Sequence, residues 1–387
     1  MQQWPLVGAA GGGGVVASPR GSGGGEALGS GRASTAPAHK FNGVWGERIR
    51  GPLSSWRRAH PSPLVANLAG RRDLKDADFA HLRGVPYINM SDCTGVSDGA
   101  LAYLVGGGML QAWTSPRGES EEEEDAPPPP PTTPPHTLRI CGCTQLSDQG
   151  LACLAGIHTL DMSGCSQEGI SDAGLRALGP IRVLRMDFCT QNTLTDGAFA
   201  ALSGSIRELS MRGCYQGTLT SRAFRYLRGI THLDMSRCNQ REIGDEAFLH
   251  LRGIRTLLMQ GCDQDSITDA AFVNLAGIHT LSMHGCDNRA SEVHGDGSVT
   301  ERYTITDAAF VHLRGVSHIN IGYCPQVSDA AIKHLAGCDT LDMTGCRQES
   351  ITVLGVKALH GCRKIHMKGC RPALITAARR EGLNVRS

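Results

Sequence analysis

Short alternations of apolar and polar positions recur along the chain, each leading into a cysteine. In residues 280–286, Leu281 and Met283 alternate with Thr280, Ser282 and His284, the period of a strand about four residues long with one buried and one open face. Upstream, Thr268-Asp269 followed by Ala270-Ala-Phe-Val-Asn-Leu275 predicts a capped helix. Thr268 is its N-cap, Asp269 stands in the first turn, Phe272 and Leu275 share one face, and Gly277 ends it. The same Ser/Thr-Asp start occurs at Ser97-Asp98, Ser147-Asp148, Ser171-Asp172, Thr195-Asp196, Thr306-Asp307 and Ser328-Asp329. One unit is thus a strand, a turn and a helix.

The unit repeats. Cys165, Cys189, Cys214, Cys238, Cys262 and Cys286 stand 24, 25, 24, 24 and 24 residues apart; Cys143 precedes them by 22, and Cys324, Cys346 and Cys370 follow at 38, 22 and 24. The same words surround them: His158-Thr-Leu-Asp-Met-Ser-Gly-Cys165, Thr231-His-Leu-Asp-Met-Ser-Arg-Cys238, Asp339-Thr-Leu-Asp-Met-Thr-Gly-Cys346. One such unit buries too little to fold alone, whereas stacked copies share a core and form a solenoid. Eleven strands are predicted, centred near Ile88, Leu138, Leu160, Leu184, Leu209, Leu233, Leu257, Leu281, Ile319, Leu341 and Ile365. At about 5 Å per strand the inner surface runs about 50 Å, the scale of a protein partner rather than a metabolite.

Leu160-x-Met162-x-x-Cys165 followed by Ile170-Ser-Asp-x-x-Leu175 resembles the cysteine-containing leucine-rich repeat, as in F-box/leucine-rich-repeat proteins, over about residues 74 to 387. The resemblance implies an α/β, ribonuclease-inhibitor-like horseshoe with parallel strands on the concave face and helices on the convex face. It also implies capture of a protein partner, often as the substrate-recognition arm of a Skp1-cullin-F-box ubiquitin ligase. An F-box would be a separate helical module ahead of the repeats. Residues 40–68 hold Trp45, Trp56 and several prolines, and no amphipathic helical run. A stand-alone binding protein without a ligase role is therefore the other expectation.

By register, the open strand positions include Asp161, Ser163, Arg185, Asp187, Glu208, Arg212, His232, Asp234, Gln260, His284, His318, Asn320, Asp342, Lys364, His366 and Lys368. Acids lie towards the middle of this strip and a basic end runs from Lys364 to Lys368. Complementary charge on a protein partner is the expected use of the strip.

Composition trims the alternatives. With 38 Lys+Arg against 37 Asp+Glu the net charge is +1, which removes the footprint of a nucleic-acid or anionic-membrane binder, and no apolar run is long enough to span a bilayer. Aromatics make up only 5%, a poor lining for a small-molecule pocket. No phosphate-binding loop, H-E-x-x-H or G-x-S-x-G pattern occurs, so no enzyme and no cofactor are expected. One cysteine per repeat makes a ladder of small buried thiols, not a convergent zinc site. Cys338 and Cys362 occupy the slot of Ile157, Ile254 and Ile278 and read as core; Cys141 and Cys153 are the candidates for a thiol-based redox or metal response.

Residues 1–66, in which 11 of the first 39 are glycine, are expected to be a disordered tail, with an organelle transit peptide as the other reading. The solenoid, residues 67–387, carries two inserts: 107–135, acidic from Glu119 to Asp125 and then proline-rich, and 288–303 on the opposite rim. Residues from Ala373 to Glu381 are expected to cap the last strand. The protein is expected to be a cytoplasmic or nuclear monomer.

Overall fold

Every predicted alternation becomes a three-residue strand whose central residue points into the core. The computed structural model describes residues 45–106, 133–296 and 298–386. The strands are β1 (Val65–Asn67), β2 (Tyr87–Asn89), β3 (Thr137–Arg139), β4 (Thr159–Asp161), β5 (Val183–Arg185), β6 (Glu208–Ser210), β7 (His232–Asp234), β8 (Thr256–Leu258) and β9 (Thr280–Ser282). After an insertion, β10 (Arg289–Val293) and β11 (Val299–Tyr303), come β12 (His318–Asn320), β13 (Thr340–Asp342), β14 (Lys364–His366) and β15 (Val385–Arg386). All except β10 and β11 form one 13-stranded sheet in sequence order, each strand parallel to the next and paired without slippage, as in Leu160↔Leu184 and Leu257↔Leu281.

The core side of this sheet holds the repeated residues. Leu160, Leu184, Leu257 and Leu341 are fully buried, as are Met162, Met186, Met259 and Met343 two positions on, and each such side chain contributes about 1.5–3 kcal/mol of transfer free energy. Phe199, Phe224, Phe248, Phe272 and Phe310, from the helical segments, cover them.

Two side-chain ladders lock neighbouring repeats. Each anchor thiol donates to the carbonyl that follows the preceding repeat's strand: Cys143 to Met90 O at 3.1 Å, Cys214 to Met186 O at 3.1 Å, Cys286 to Met259 O at 2.9 Å. Each of these carbonyls also accepts the backbone N–H of its own repeat's cysteine, as Met90 O does from Cys93 N at 3.2 Å, so the thiol fills the second lone pair. The second ladder is made by the Ser/Thr-Asp pairs. Ser and Thr cap their own helices as predicted, Ser171 accepting from Ala173 N and Thr268 from Ala270 N. The aspartate reaches onward: Asp148 accepts from Ser171 N at 2.7 Å and Ser171 Oγ at 2.6 Å, and Asp172 from Thr195 N at 2.8 Å and Thr195 Oγ1 at 2.6 Å. Its place in the first turn therefore serves the next repeat's cap as well as its own helix dipole.

Several expectations are corrected. The helices are short: Asp269–Phe272 is α-helical and Val273–Leu275 tightens to a 3-10 turn, because Gly277, at a φ of 81°, must return the chain within a 24-residue unit. The sheet has two more strands than predicted: β1, as long as the others but with Ala66 at its centre in place of leucine or isoleucine and no cysteine after it, and the two-residue β15. The disordered tail does not extend to residue 66: Leu53–Ala59 is a helix with Leu53 buried, and Ile49 N donates to Asn67 O at 2.8 Å, closing the sheet's first edge. At the other end Pro372–Arg380 is the expected helix, but β15 follows it and pairs with β14. The 288–303 insert is an antiparallel hairpin of β10 and β11, braced by Arg289 against Glu301 at 3.0 Å and over the Tyr303 ring at 5.1 Å. Residues 1–44 and residues 107–132 of the acidic insert lie outside the described residues.

Candidate protein-binding face

The open side of the sheet is built from the residues flanking each buried central position and from the residue two further on. The register aligns them into rows across the repeats, one running Arg139, Asp161, Arg185, Ser210, Asp234, Leu258, Ser282, Asn320, Asp342 and His366. The predicted strip is thus assembled on one face, but its members differ in what they leave available to a partner.

The acids are largely engaged in holding the strand-to-loop turn. Asp161 is only 5% exposed; it takes an ion pair from Arg139 at 3.1 Å and hydrogen bonds from Cys141 Sγ at 3.1 Å and Ser163 Oγ at 2.7 Å. Asp187 accepts from Ser210 Oγ and from Arg212 N at 3.0 Å, and burial pushes its carboxyl above the ordinary value against these bonds. Asp234, Asn320 and Asp342 each accept the backbone N–H two residues on, from Ser236, Gly322 and Thr344, all at 2.9 Å. A short polar side chain at this slot closes the turn.

The remaining predicted residues are half-buried or exposed on the same face. Glu208 and His232 face each other across β6 and β7, and His232 Nδ1 lies 2.9 Å from Thr231 Oγ1. Arg212 stands with Gln260 and His284 in the row two residues past the strands, and its Nε is buried without a hydrogen-bond partner. His318 meets the His279 ring edge-on at 5.2 Å. Lys364, His366 and Lys368 gather at the last repeats with Arg386 of β15, and burial, with Lys364, holds the His366 pKa below its ordinary value. Cys141 and Cys153 are half-buried; burial and Asp161 push the Cys141 thiol up to about 12, and burial also raises Cys153. Neither has the lowered pKa that thiol reactivity requires.

Sequence reasoning missed the aromatic members of this surface. The residue before each anchor cysteine lies in the left-handed region, where a Cβ is disfavoured. Gly142, Gly164, Gly213, Gly261, Gly285, Gly345 and Gly369 fill it, but Asp92, Phe188, Arg237 and Tyr323 hold it at φ 55–59°. Phe188 and Tyr323 are 47% and 57% exposed. Each ring lies over the next repeat's glycine: a Cβ on Gly213 would stand 2.6 Å from Phe188 Cδ1, and one on Gly345 2.5 Å from Tyr323 Cε1. His284 meets Tyr323 edge-on at 5.1 Å, and Tyr215, beside Cys214, is 54% exposed. The signal was present as an interruption of the glycine slot before cysteine.

Among the described residues no group of three or more His, Cys, Asp or Glu could hold a metal ion, and no helix is long and apolar enough to cross a membrane.

The ordered parallel sheet, one short helical segment per strand and the rows on its open side define a leucine-rich-repeat solenoid. No family model and no curated protein matches the chain. Solved structures do. The TLR13–ssRNA13 complex matches at TM-score 0.53 and 15% identity, over 79% of this chain and 43% of that one. The mouse RP105/MD-1 complex matches at 0.52 and 15%, over 79% and 50%, and the yeast Rad7–Elc1 complex at 0.50 and 15%, over 86% and 81%. The chain spans half or less of the length of the first two, and at these identities the likeness is one of fold.

Proposed function

We propose that the protein is a non-enzymatic scaffold that captures a protein partner on the open face of its sheet, with Phe188 and Tyr323 as anchors. The supporting observation is backbone strain at an exposed place: bulky residues sit at positive φ where most repeats of this chain use glycine, and strain of about 1–3 kcal/mol persists where it serves function. The exposed rings, with Arg212 in the repeat beside Phe188 and His284 against Tyr323, suit a partner that offers apolar side chains among acidic ones. RP105 and Rad7 were each solved with a protein partner, which is in keeping with this reading.

The finer reading is a substrate receptor or adaptor in a Skp1-cullin ubiquitin ligase, supported by the resemblance of the repeat words; a stand-alone scaffold is the alternative. Full-length protein carrying Phe188→Gly and Tyr323→Gly, captured from its native cell beside the wild type, tests the face. At least a tenfold loss of the principal co-purifying protein is expected, about the 1.4 kcal/mol or more of one anchor. Unchanged recovery overturns the proposal. Skp1 and cullin retained by both forms support the ligase version, and their absence from both removes it. Reversing charge at Asp234 or Asp342 is a poorer probe, because it removes the acceptor that closes the turn.

A further inference from the structure

We propose that Cys338 and Cys362 are a peroxide-sensitive modification site at which a reversible disulfide staples the last two cysteine-anchored repeats. In eight other repeats the slot two residues before the strand is a branched aliphatic side chain, Val85, Ile157, Ile181, Ile206, Ile230, Ile254, Ile278 and Val316, and before β1 and β3 it is proline, Pro63 and Pro135. Two consecutive repeats replace them with cysteine, and the sulfurs touch at 3.4 Å.

Their backbones are correctly spaced for a bond. The β13–β14 register, Thr340 opposite Lys364, extends back to place Cys338 opposite Cys362, and Arg363 N donates to Cys338 O at 3.1 Å. Adjacent strands about 4.8 Å apart fall within the Cα separations that disulfides span, so small side-chain rotations close the gap. Like the anchor thiols Cys346 and Cys370, which donate to Ile321 O and Met343 O, Cys362 lies within reach of a carbonyl, Leu335 O at 3.5 Å, but it alone of these three also meets a second sulfur.

Access and chemistry agree with the geometry. Cys362 is 8% exposed, and the preceding corners, Gly337 and Gly361, are exposed and present no side chain that could screen the sulfurs. Cys362, the more exposed of the two sulfurs at 8% against 3%, is the attacking one, and the Cys338 thiol bonded to it favours its ionisation. Its thiolate attacks hydrogen peroxide or an alkyl hydroperoxide, forming an S–O bond as the O–O bond breaks and water or alcohol leaves. Cys338 sulfur then displaces the hydroxyl of the sulfenic acid as a second water, forming S–S. Two thiols are oxidised and one peroxide is reduced. A thiol reductant reverses the product.

The test uses the purified full-length chain, treated with hydrogen peroxide, quenched, and digested without reductant. The expected result is a linked peptide containing Cys338 and Cys362, a fall in free thiols from fifteen to thirteen, and restoration by dithiothreitol. Cys338→Ile and Cys362→Ile insert the slot's usual residue, so the variants keep the fold, and each abolishes the link. Oxidised wild type should also resist proteolysis around β14 and β15 severalfold longer than reduced wild type, a difference absent from both variants. Oxidation confined to Cys141 or Cys153, or no linked peptide while other thiols react, overturns the proposal.

Discussion

The two sides of one sheet follow opposite rules. On the core side the same residue returns in repeat after repeat: leucine or isoleucine at the strand centre, methionine or isoleucine two places on, then cysteine. On the open side the first strand position changes in size and charge, from Val183 to Glu208, His232 and Lys364, although threonine returns at Thr137, Thr159, Thr256, Thr280 and Thr340. Repetition marks what the stack requires of every unit, and variation marks where the stack is indifferent and a partner can be read. Phe188 and Tyr323 cross this divide, since they stand in a repeated slot yet break its rule.

The largest expected effect breaks the core side. Burial raises the anchor thiols, Cys93 and Cys165 to about 11 and Cys238, Cys286 and Cys346 to about 12. A thiol neutral in the fold and ionised when unfolded contributes stability that is whole below the ordinary thiol pKa near 9. It is lost as pH rises towards the folded value, by about 1.4 kcal/mol per pH unit for each thiol. Several thiols titrating together should unfold the solenoid cooperatively between about pH 9 and 11, which circular dichroism against pH would show. A fold intact at pH 11 would contradict the buried ladder.

A smaller effect lies on the helical side, where one rung of the aspartate ladder is missing. Between Asp196–Thr220 and Asp245–Thr268 the pair is replaced by Ser221 and Gly244, joined by one bond from Gly244 N to Ser221 Oγ at 3.0 Å, and a polar cleft lined by Arg222, Arg241 and Glu242 opens there. Asp148→Ala removes two charge-assisted bonds and should cost about 2–4 kcal/mol in urea unfolding. Building the missing rung with Ser221→Asp and Gly244→Ser should destabilise rather than help, because a Cβ on Gly244 would stand 2.7 Å from Ser266 O. A gain in stability would show that the junction can relax.

How far the sequence speaks follows the same divide. Period, strand centres and helix caps were legible because each is repeated: the Ser171 and Thr268 caps and the Leu160–Cys165 unit lie where the words placed them. The onward reach of Asp148 was not, since a single unit shows aspartate only as a first-turn residue and the partner belongs to the next unit. The open-face register could be counted, yet Asp161 could not be foreseen as buried, because its cover is Arg139, Cys141 and Ser163 converging from two repeats. The contact of Cys338 with Cys362 was hidden by the aliphatic slot they share with Ile157.

The smallest expected effect on stability is also the sharpest test of the divide. Phe199, fully buried, should cost about 3–5 kcal/mol on conversion to alanine, the ordinary penalty for emptying a core site. Phe188→Gly removes an equally large ring, but also relieves a left-handed φ of 57°. That relief of about 1–2 kcal/mol is offset by the greater chain entropy of glycine, about 1 kcal/mol, and by the lost packing on Gly213. Stability by urea unfolding should therefore stay within about 1 kcal/mol of wild type while partner recovery falls. A loss near that of Phe199 would mean that Phe188 is core after all, held over Gly213 for packing alone. Unchanged stability with unchanged recovery would leave the strained ring without a role on this face, and the binding surface would then have to lie among the polar rows.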